Sequence, residues 1–254
     1  MDETIVHALL EINRRFYQDY AEPFAATRRR IQDGVRQAVI DLPDGRYLDL
    51  GCGSGALAEF WLRPRADHST RKGLYLGVDF SAGLLAEARS GLPEKLPDGL
   101  GIAFQQRDLM AAGWQDNLEG TPFDGIMAFA VMHHLPGRSN QIDFVTRVRS
   151  LIKPGGQFIL SVWQIQNSPK LLSRRQPWEA AGLSASEVEE GDVLLDWRQS
   201  SKGSPQSAGL RYVHLFNEND LRVLAESTGW LVVDSSYHDG HTGNLGLYQV
   251  WKAV

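Results

Sequence analysis

The run Asp49-Leu50-Gly51-Cys52-Gly53-Ser54-Gly55 lies between a short apolar stretch, residues 47–50, and a helical pattern that begins at Ala56. Glycines at a strand-to-helix switch admit backbone angles closed to other residues and let a ligand approach the main chain. A second apolar run, residues 74–78, ends on Asp79, whose carboxylate suits the two ribose hydroxyls of a nucleoside. Together these features point to parallel strands joined by crossover helices. They place a ligand outside the carboxyl ends of the strands, where strand order reverses.

The alternation continues along the chain. Ser81 can cap a helix running to about Arg89. Residues 102–106 read as a strand ending near Asp108, and residues 123–129 as an apolar strand. Residues 140–152 follow as a helix with Phe144, Val148 and Leu151 on one face. Lys153-Pro154-Gly155-Gly156 ends it, and residues 157–163 form the next strand. Nearly continuous apolar strands between helices imply an α/β fold, a doubly wound Rossmann-like sheet covered on both faces. Ahead of it, Ile5, Leu9, Ile12 and Phe16 fall at helical spacing, predicting a helix over 4–18 and a second over 23–40. Behind it, residues 169–181 read as a helix, and residues 192–199 and 210–216 as two strands. Asn217 can cap a helix over 218–227, and residues 230–237 and 245–252 read as a closing antiparallel pair. We expect one domain: a helical lid over 1–44, a core over 45–163, an insertion over 164–216, and a closing helix and strands over 217–254.

Composition bounds the function classes. Of 254 residues, 43% are hydrophobic and 22% charged, enough for a full core. The single cysteine, Cys52, excludes an intrachain disulfide and a cysteine-rich zinc site. No segment reaches the roughly 18 apolar residues of a membrane span. The first residues match neither a secretory signal nor a transit peptide, so a cytoplasmic protein without membrane contact is expected. A net charge of −5 argues against a general polyanion binder. His238 and His241 are spaced H-x-x-H in a turn-rich loop without convincing acidic or cysteine ligands, so no metal is expected.

A dinucleotide loop would place a third glycine at position 56. Ala56 stands there, which the looser form of that motif allows. Asp49 makes the difference, since it can take the α-ammonium of an amino-acid ligand. With Asp108 after the third strand and Lys-Pro-Gly-Gly before the fifth, the pattern from 47 to 163 resembles the class I S-adenosylmethionine-dependent methyltransferases. The resemblance implies a seven-stranded sheet whose last strand is antiparallel, and S-adenosyl-L-methionine as cofactor. It implies that Asp49, Gly51, Cys52 and Gly53 hold the methionine part and that Asp79 and Phe80 hold the ribose and adenine. Asp108 and Leu109 would bracket the adenine, with the backbone of Ala130 and Val131 against the ligand.

A closer resemblance extends into the flanks. Tyr17, Ala21, Phe24, Thr27 and Arg28 match a Y-x-x-x-A-x-x-F-x-x-T-R segment. Val131-Met132-His133-His134 matches paired histidines after the fourth strand, and Ser161-Val162-Trp163 a strand ending in tryptophan. Asp192-Val193 to Trp197 and Arg211-Tyr212-Val213-His214 match later segments. These are similar to the tRNA wobble-uridine carboxymethyl methyltransferases, which esterify a carboxylate. Where that family has a threonine and paired arginines after the histidines, this chain has Pro136-Gly137-Arg138-Ser139-Asn140. The resemblance implies transfer to tRNA, with a small-molecule acceptor as the alternative. It also brings a small protein partner, as in the family's eukaryotic members.

Methyl transfer from a sulfonium is an in-line displacement, so positioning and exclusion of water dominate. A carboxylate acceptor is ionised at neutral pH and needs no base. It needs an orienting cation, and an arginine fork suits a carboxylate. Arg28 is the first choice, ahead of Arg14 and Arg15. Arg28 can equally hold the carboxylate of the cofactor's methionine. For an amine or hydroxyl acceptor, His133 or His134 would be the general base. Tyr17 and Tyr20 would close the first helix over the cofactor. Trp163, Arg211, Tyr212 and His214 would line the acceptor side.

Overall fold

The computed structural model describes residues 1–20, 31–198 and 208–254. Seven strands form one sheet: β1 (Gly45–Leu50), β2 (Gly73–Asp79), β3 (Leu100–Gln106), β4 (Phe123–Phe129), β5 (Ile152–Trp163), β9 (Trp230–His238) and β10 (Gly246–Ala253). Their order is β3-β2-β1-β4-β5-β10-β9. The first five are mutually parallel, and β10 inserts antiparallel between β5 and β9. This is the expected architecture, with the last strand reversed. Strand order turns back between β1 and β4, so their connections leave on opposite faces and open a crevice at their carboxyl ends.

Side-chain alternation along the strands builds two cores. Leu48, Leu76, Ile126 and Phe158 face α5 (Arg138–Ser150) and α7 (Glu218–Ser227) through Phe144, Val148, Leu221 and Leu224. Tyr47, Tyr75, Met127 and Ile159 face α2 (Asp33–Val39), α3 (Ala56–Trp61) and α4 (Ala82–Ser90). Each leucine-sized side chain so buried contributes roughly 1.5–3 kcal/mol. Asn217 begins α7 with a full capping box against Asp220, and Ser81 caps α4 through the Leu84 amide.

Helix α1 (Glu3–Asp19) starts at Asp2, whose side chain accepts from the Thr4 amide. Its buried residues are Ile5, Leu9, Asn13 and Phe16, so a polar residue takes the place predicted for Ile12. The predicted helix over 23–40 is corrected. Gln32 is extended, at φ −66° and ψ 153°, and α2 begins at Asp33. Residues 21–30 lie outside the described residues. The predicted helix over 169–181 reduces to one turn, α6 (Pro169–Leu172), followed by β6 (Arg175–Gln176) and a short 3-10 turn. Strand β5 takes in Lys153 to Gly156, which were expected to precede it. The register against β4 shifts there, from Phe123↔Ile152 to Gly125↔Gln157.

The insertion forms a second sheet, β6-β7-β8, with β7 (Asp192–Arg198) and β8 (Ala208–His214) antiparallel. It buries its own small core of Ile165, Val193, Leu195 and Val213, against which Trp163 packs. Helix α1 packs on β8, with Tyr212 buried beside Ile5 and Leu9.

Candidate active site

A cavity of about 450 Å³ opens at the carboxyl ends of β1, β2 and β4, roofed by α1. That size suits a small-molecule ligand. Its floor is the acid–glycine loop. Gly51 has φ +70°, and a side chain there would meet the Val131 methyl at 2.7 Å. Glycine therefore satisfies both the turn and the close approach of the loop after β4. Asp49 is buried, and its carboxylate accepts from the Tyr75 hydroxyl. Directly across the ladder from Asp49 sits Gly77, where a side chain would strike Phe104 at 2.7 Å and the Cys52 sulfur at 2.9 Å. Burial pushes the Asp49 pKa up to about 7, the Tyr75 hydrogen bond pulls it back, and the charge of Asp79 adds to the rise.

Asp79 holds the loop directly. One of its oxygens accepts from the Gly53 amide at 3.0 Å, the other from the Ser81 amide at 2.9 Å. Burial raises its pKa, while the backbone donors oppose the rise. Burial also carries the Cys52 thiol well above its ordinary range, so it is a neutral wall residue. Phe80, Leu109, Ala130 and Val131 complete this end of the wall. Asp108 also lines it, bonded to the Met110 amide at 3.0 Å and ion-paired with Arg14 of α1. Ala130 has φ +58°, and its amide bonds the Ser161 carbonyl at 3.0 Å.

At the other end, Tyr17, His134 and Trp163 line the cavity. The Tyr17 hydroxyl and His134 Nε2 are 2.9 Å apart. His134 Nδ1 is 3.1 Å from the Tyr212 carbonyl oxygen. Asn13 binds the same residue twice. Its side-chain oxygen accepts from the Tyr212 amide at 2.9 Å, and its nitrogen donates to the Tyr212 carbonyl at 3.2 Å. Behind this layer, Arg211 lies between the rings of Phe16, at 4.7 Å, and Trp163, at 5.0 Å. Tyr212 and His214 turn away to bond Asp192, at 2.8 Å and 2.7 Å.

The structure thus brings eleven residues expected from sequence on the cofactor side to one cavity: Tyr17, Asp49, Gly51, Cys52, Gly53, Asp79, Phe80, Asp108, Leu109, Ala130 and Val131. His134 joins them. His133 does not line the cavity. It is fully buried, and its Nδ1 accepts from the Trp163 amide at 3.3 Å. Of Arg211, Tyr212 and His214, none is among the lining residues. Arg28 lies outside the described residues.

The model of the family described as "Methyltransferase domain" matches residues 22–235. The chain belongs to this family. A "putative methyltransferase" of Encephalitozoon cuniculi is 30% identical over 87% of this chain and 87% of its own length. The tRNA (carboxymethyluridine(34)-5-O)-methyltransferase of Schizosaccharomyces pombe is 22% identical over 89% of this chain and 92% of its own. A trans-aconitate 2-methyltransferase of Methylobacterium nodulans is 34% identical, over 52% of this chain and 44% of its own. Among solved structures, a SAM-dependent methyltransferase of Methanosarcina mazei superposes with a TM-score of 0.59 at 19% identity, covering 89% of this chain and 99% of that one. The fold is that of the SAM-dependent methyltransferases.

Two polar lining residues of this methyltransferase, Asn13 and Arg107, escape a reading of motifs for their chemistry, and Arg14, a second choice for the orienting cation, lines the cavity paired with Asp108. Asn13 had a signal, since a polar residue follows Ile5 and Leu9 at the next four-residue step of the buried face. Arg14 lies one position further round the helix, and nothing in its spacing announces Asp108 as its partner. No helix among the described residues is long and apolar enough to cross a membrane.

Proposed function

We propose that this methyltransferase binds S-adenosyl-L-methionine in the cavity and esterifies a carboxylate, on a modified wobble uridine of tRNA. One observation carries the cofactor reading: buried Asp49 and Asp79 close a glycine loop on a cavity at the strand ends, roofed by α1. Among the described residues, neither buried acid has a basic partner, which suits a cationic ligand. The cofactor supplies an electrophilic methyl group. Asp49 takes the ammonium, Asp79 the ribose hydroxyls, and Asp108 the adenine end, where Arg14 balances its charge. Helix α1 excludes water from the acceptor side, and Trp163 offers a flat face beside it. Arg28 is the proposed orienting cation, on the strength of the Thr27-Arg28 segment.

The end-to-end likeness to a tRNA carboxymethyluridine methyltransferase supports the acceptor. The net charge of −5 and the partial likeness to an enzyme of trans-aconitate favour a second reading, a small carboxylate. Both place a methyl ester in the product, and a small protein partner belongs to the first. The test supplies tritiated cofactor with tRNA bearing carboxymethyluridine, or with small carboxylic acids, and then applies mild alkali. Volatile methanol released from tRNA is the expected result. Release only from small acids establishes the second reading, and a base-stable product overturns both.

A further inference from the structure

We propose that His134 is a positioning residue that acts on methyl transfer through Tyr17, and that Asn13 and the backbone of Tyr212 lock its tautomer. The inference rests on the methyltransferase reading above.

The wiring follows from which atoms can donate. The Tyr212 amide donates to one Asn13 side-chain atom at 2.9 Å, which makes that atom the oxygen and the other the NH₂. The NH₂ donates to the Tyr212 carbonyl at 3.2 Å. That carbonyl, an acceptor only, also lies 3.1 Å from His134 Nδ1, so Nδ1 carries a proton. Asn13 nitrogen and His134 Nδ1 are 3.4 Å apart because two donors converge on one oxygen. In the neutral ring Nε2 is then the acceptor, and it takes the Tyr17 hydroxyl proton at 2.9 Å. Tyr17 therefore presents oxygen lone pairs, and not its proton, to a cavity suited to a cationic ligand. A phenol fixed in this sense needs no reorientation when charge shifts at the reacting centre.

Three segments distant in sequence meet at this point: α1, the turn after β4, and β8 of the insertion. Among the described residues, the groups facing the His134 ring are Tyr17 and Asn13 from α1, Tyr212 from β8, Trp163 from β5 at 5.5 Å, and His133 at 4.4 Å between ring centroids. Arg211 lies over the Trp163 ring at 5.0 Å.

Nitrogen-detected NMR of the imidazoles in the intact, ligand-free protein tests the wiring directly, with His134 signals assigned by their loss in His134→Gln. The expected result is a neutral ring protonated on Nδ1 from pH 6 to 8. The opposite tautomer, or an imidazolium at pH 7, overturns the proposal without reference to activity. Kinetics test the consequence. Tyr17→Phe and His134→Leu should each lower kcat about tenfold, the scale of one well-placed hydrogen bond. The double variant should be no slower than the slower single one, because the pair acts as a unit. His134→Gln, which can still accept from Tyr17, should recover most of the rate, and the pH profile should keep its shape in every variant. Additive losses, or loss of the acidic limb in His134→Leu, overturn it. Intact wiring without any transfer by the wild-type protein counts against the proposed reaction and not against the wiring, which the NMR decides alone.

Discussion

The two ends of the cavity are built in opposite ways. At the cofactor end, the groups that would touch ligand sit at the tips of adjacent parallel strands, and register brings them together: Asp49 on β1, Asp79 on β2, Ala130 after β4. At the acceptor end, Asn13, Tyr17, His134, Trp163 and Tyr212 come from four separate elements, held by side-chain hydrogen bonds and an aromatic layer. The first arrangement follows from backbone topology. The second depends on docking the insertion and α1 onto the sheet. The cofactor end should therefore fail by losing a ligand contact, and the acceptor end by losing assembly.

Asp79→Ala should produce the largest effect. It removes one bond to the glycine loop, one to the Ser81 amide, and the proposed acceptor for the ribose hydroxyls. Hydrogen bonds to a charged group are worth about 1.5–3 kcal/mol each, so cofactor affinity should fall a hundredfold or more by calorimetry. Unchanged affinity would remove the cofactor end from its place.

Asn13→Ala should behave in the opposite sense. It strips one partner from each of two buried backbone groups of Tyr212. A cost of about 1–3 kcal/mol in denaturant unfolding is expected, with turnover impaired and cofactor affinity changed less than about threefold. A large loss of cofactor affinity would show that the two ends are not separable.

The pH dependence of binding sharpens the contrast. Asp49, at about pH 7 in the folded protein against an ordinary 3.8, holds its proton below neutrality. A cationic ligand favours the ionised form, so affinity should rise up to about tenfold per pH unit as pH approaches 7, then level off. Calorimetry in buffers of different ionisation enthalpy should register the released proton near pH 6. For stability the sign reverses. Between about pH 4 and 7 the unfolded carboxyl has lost its proton and the folded one has not, so this group makes the ligand-free protein less stable as pH rises. Asp49→Asn should remove this group's share of both trends and leave that of Asp79, whose pKa burial also raises.

The smallest effect belongs to Arg15→Ala. Its partner Glu11 lies one turn away on the exposed side of α1, and such pairs contribute about 0.3–0.5 kcal/mol. Equilibrium unfolding should barely move, whereas Arg14→Ala, which breaks the pair with Asp108, should weaken cofactor binding.

By itself the sequence determined the sheet, the glycine loop and much of the cavity lining beside it. Apolar runs of strand length mark the strands, and the acids lie at or within two residues of their carboxyl ends, Asp49 near the end of β1, Asp79 at the end of β2 and Asp108 just after β3, where a parallel sheet places its crevice. Thus Asp49, Asp79 and Asp108 were legible as a set. Helix limits near residues 23–40 and 169–181 were not, since short polar segments take the conformation that their tertiary neighbours impose. Only the tertiary structure separated His133 from His134. Adjacent in sequence and identical in chemistry, they differ because one ring is buried against the Trp163 amide while the other turns into the cavity. Only it, too, paired Arg14 with Asp108 and Asn13 with Tyr212, 94 and 199 residues apart. Side-chain partners across such distances leave no periodicity in a single chain. They exist once hydrophobic burial has docked Leu9 and Phe16 of α1 beside the insertion, and the polar atoms trapped between them have to be satisfied.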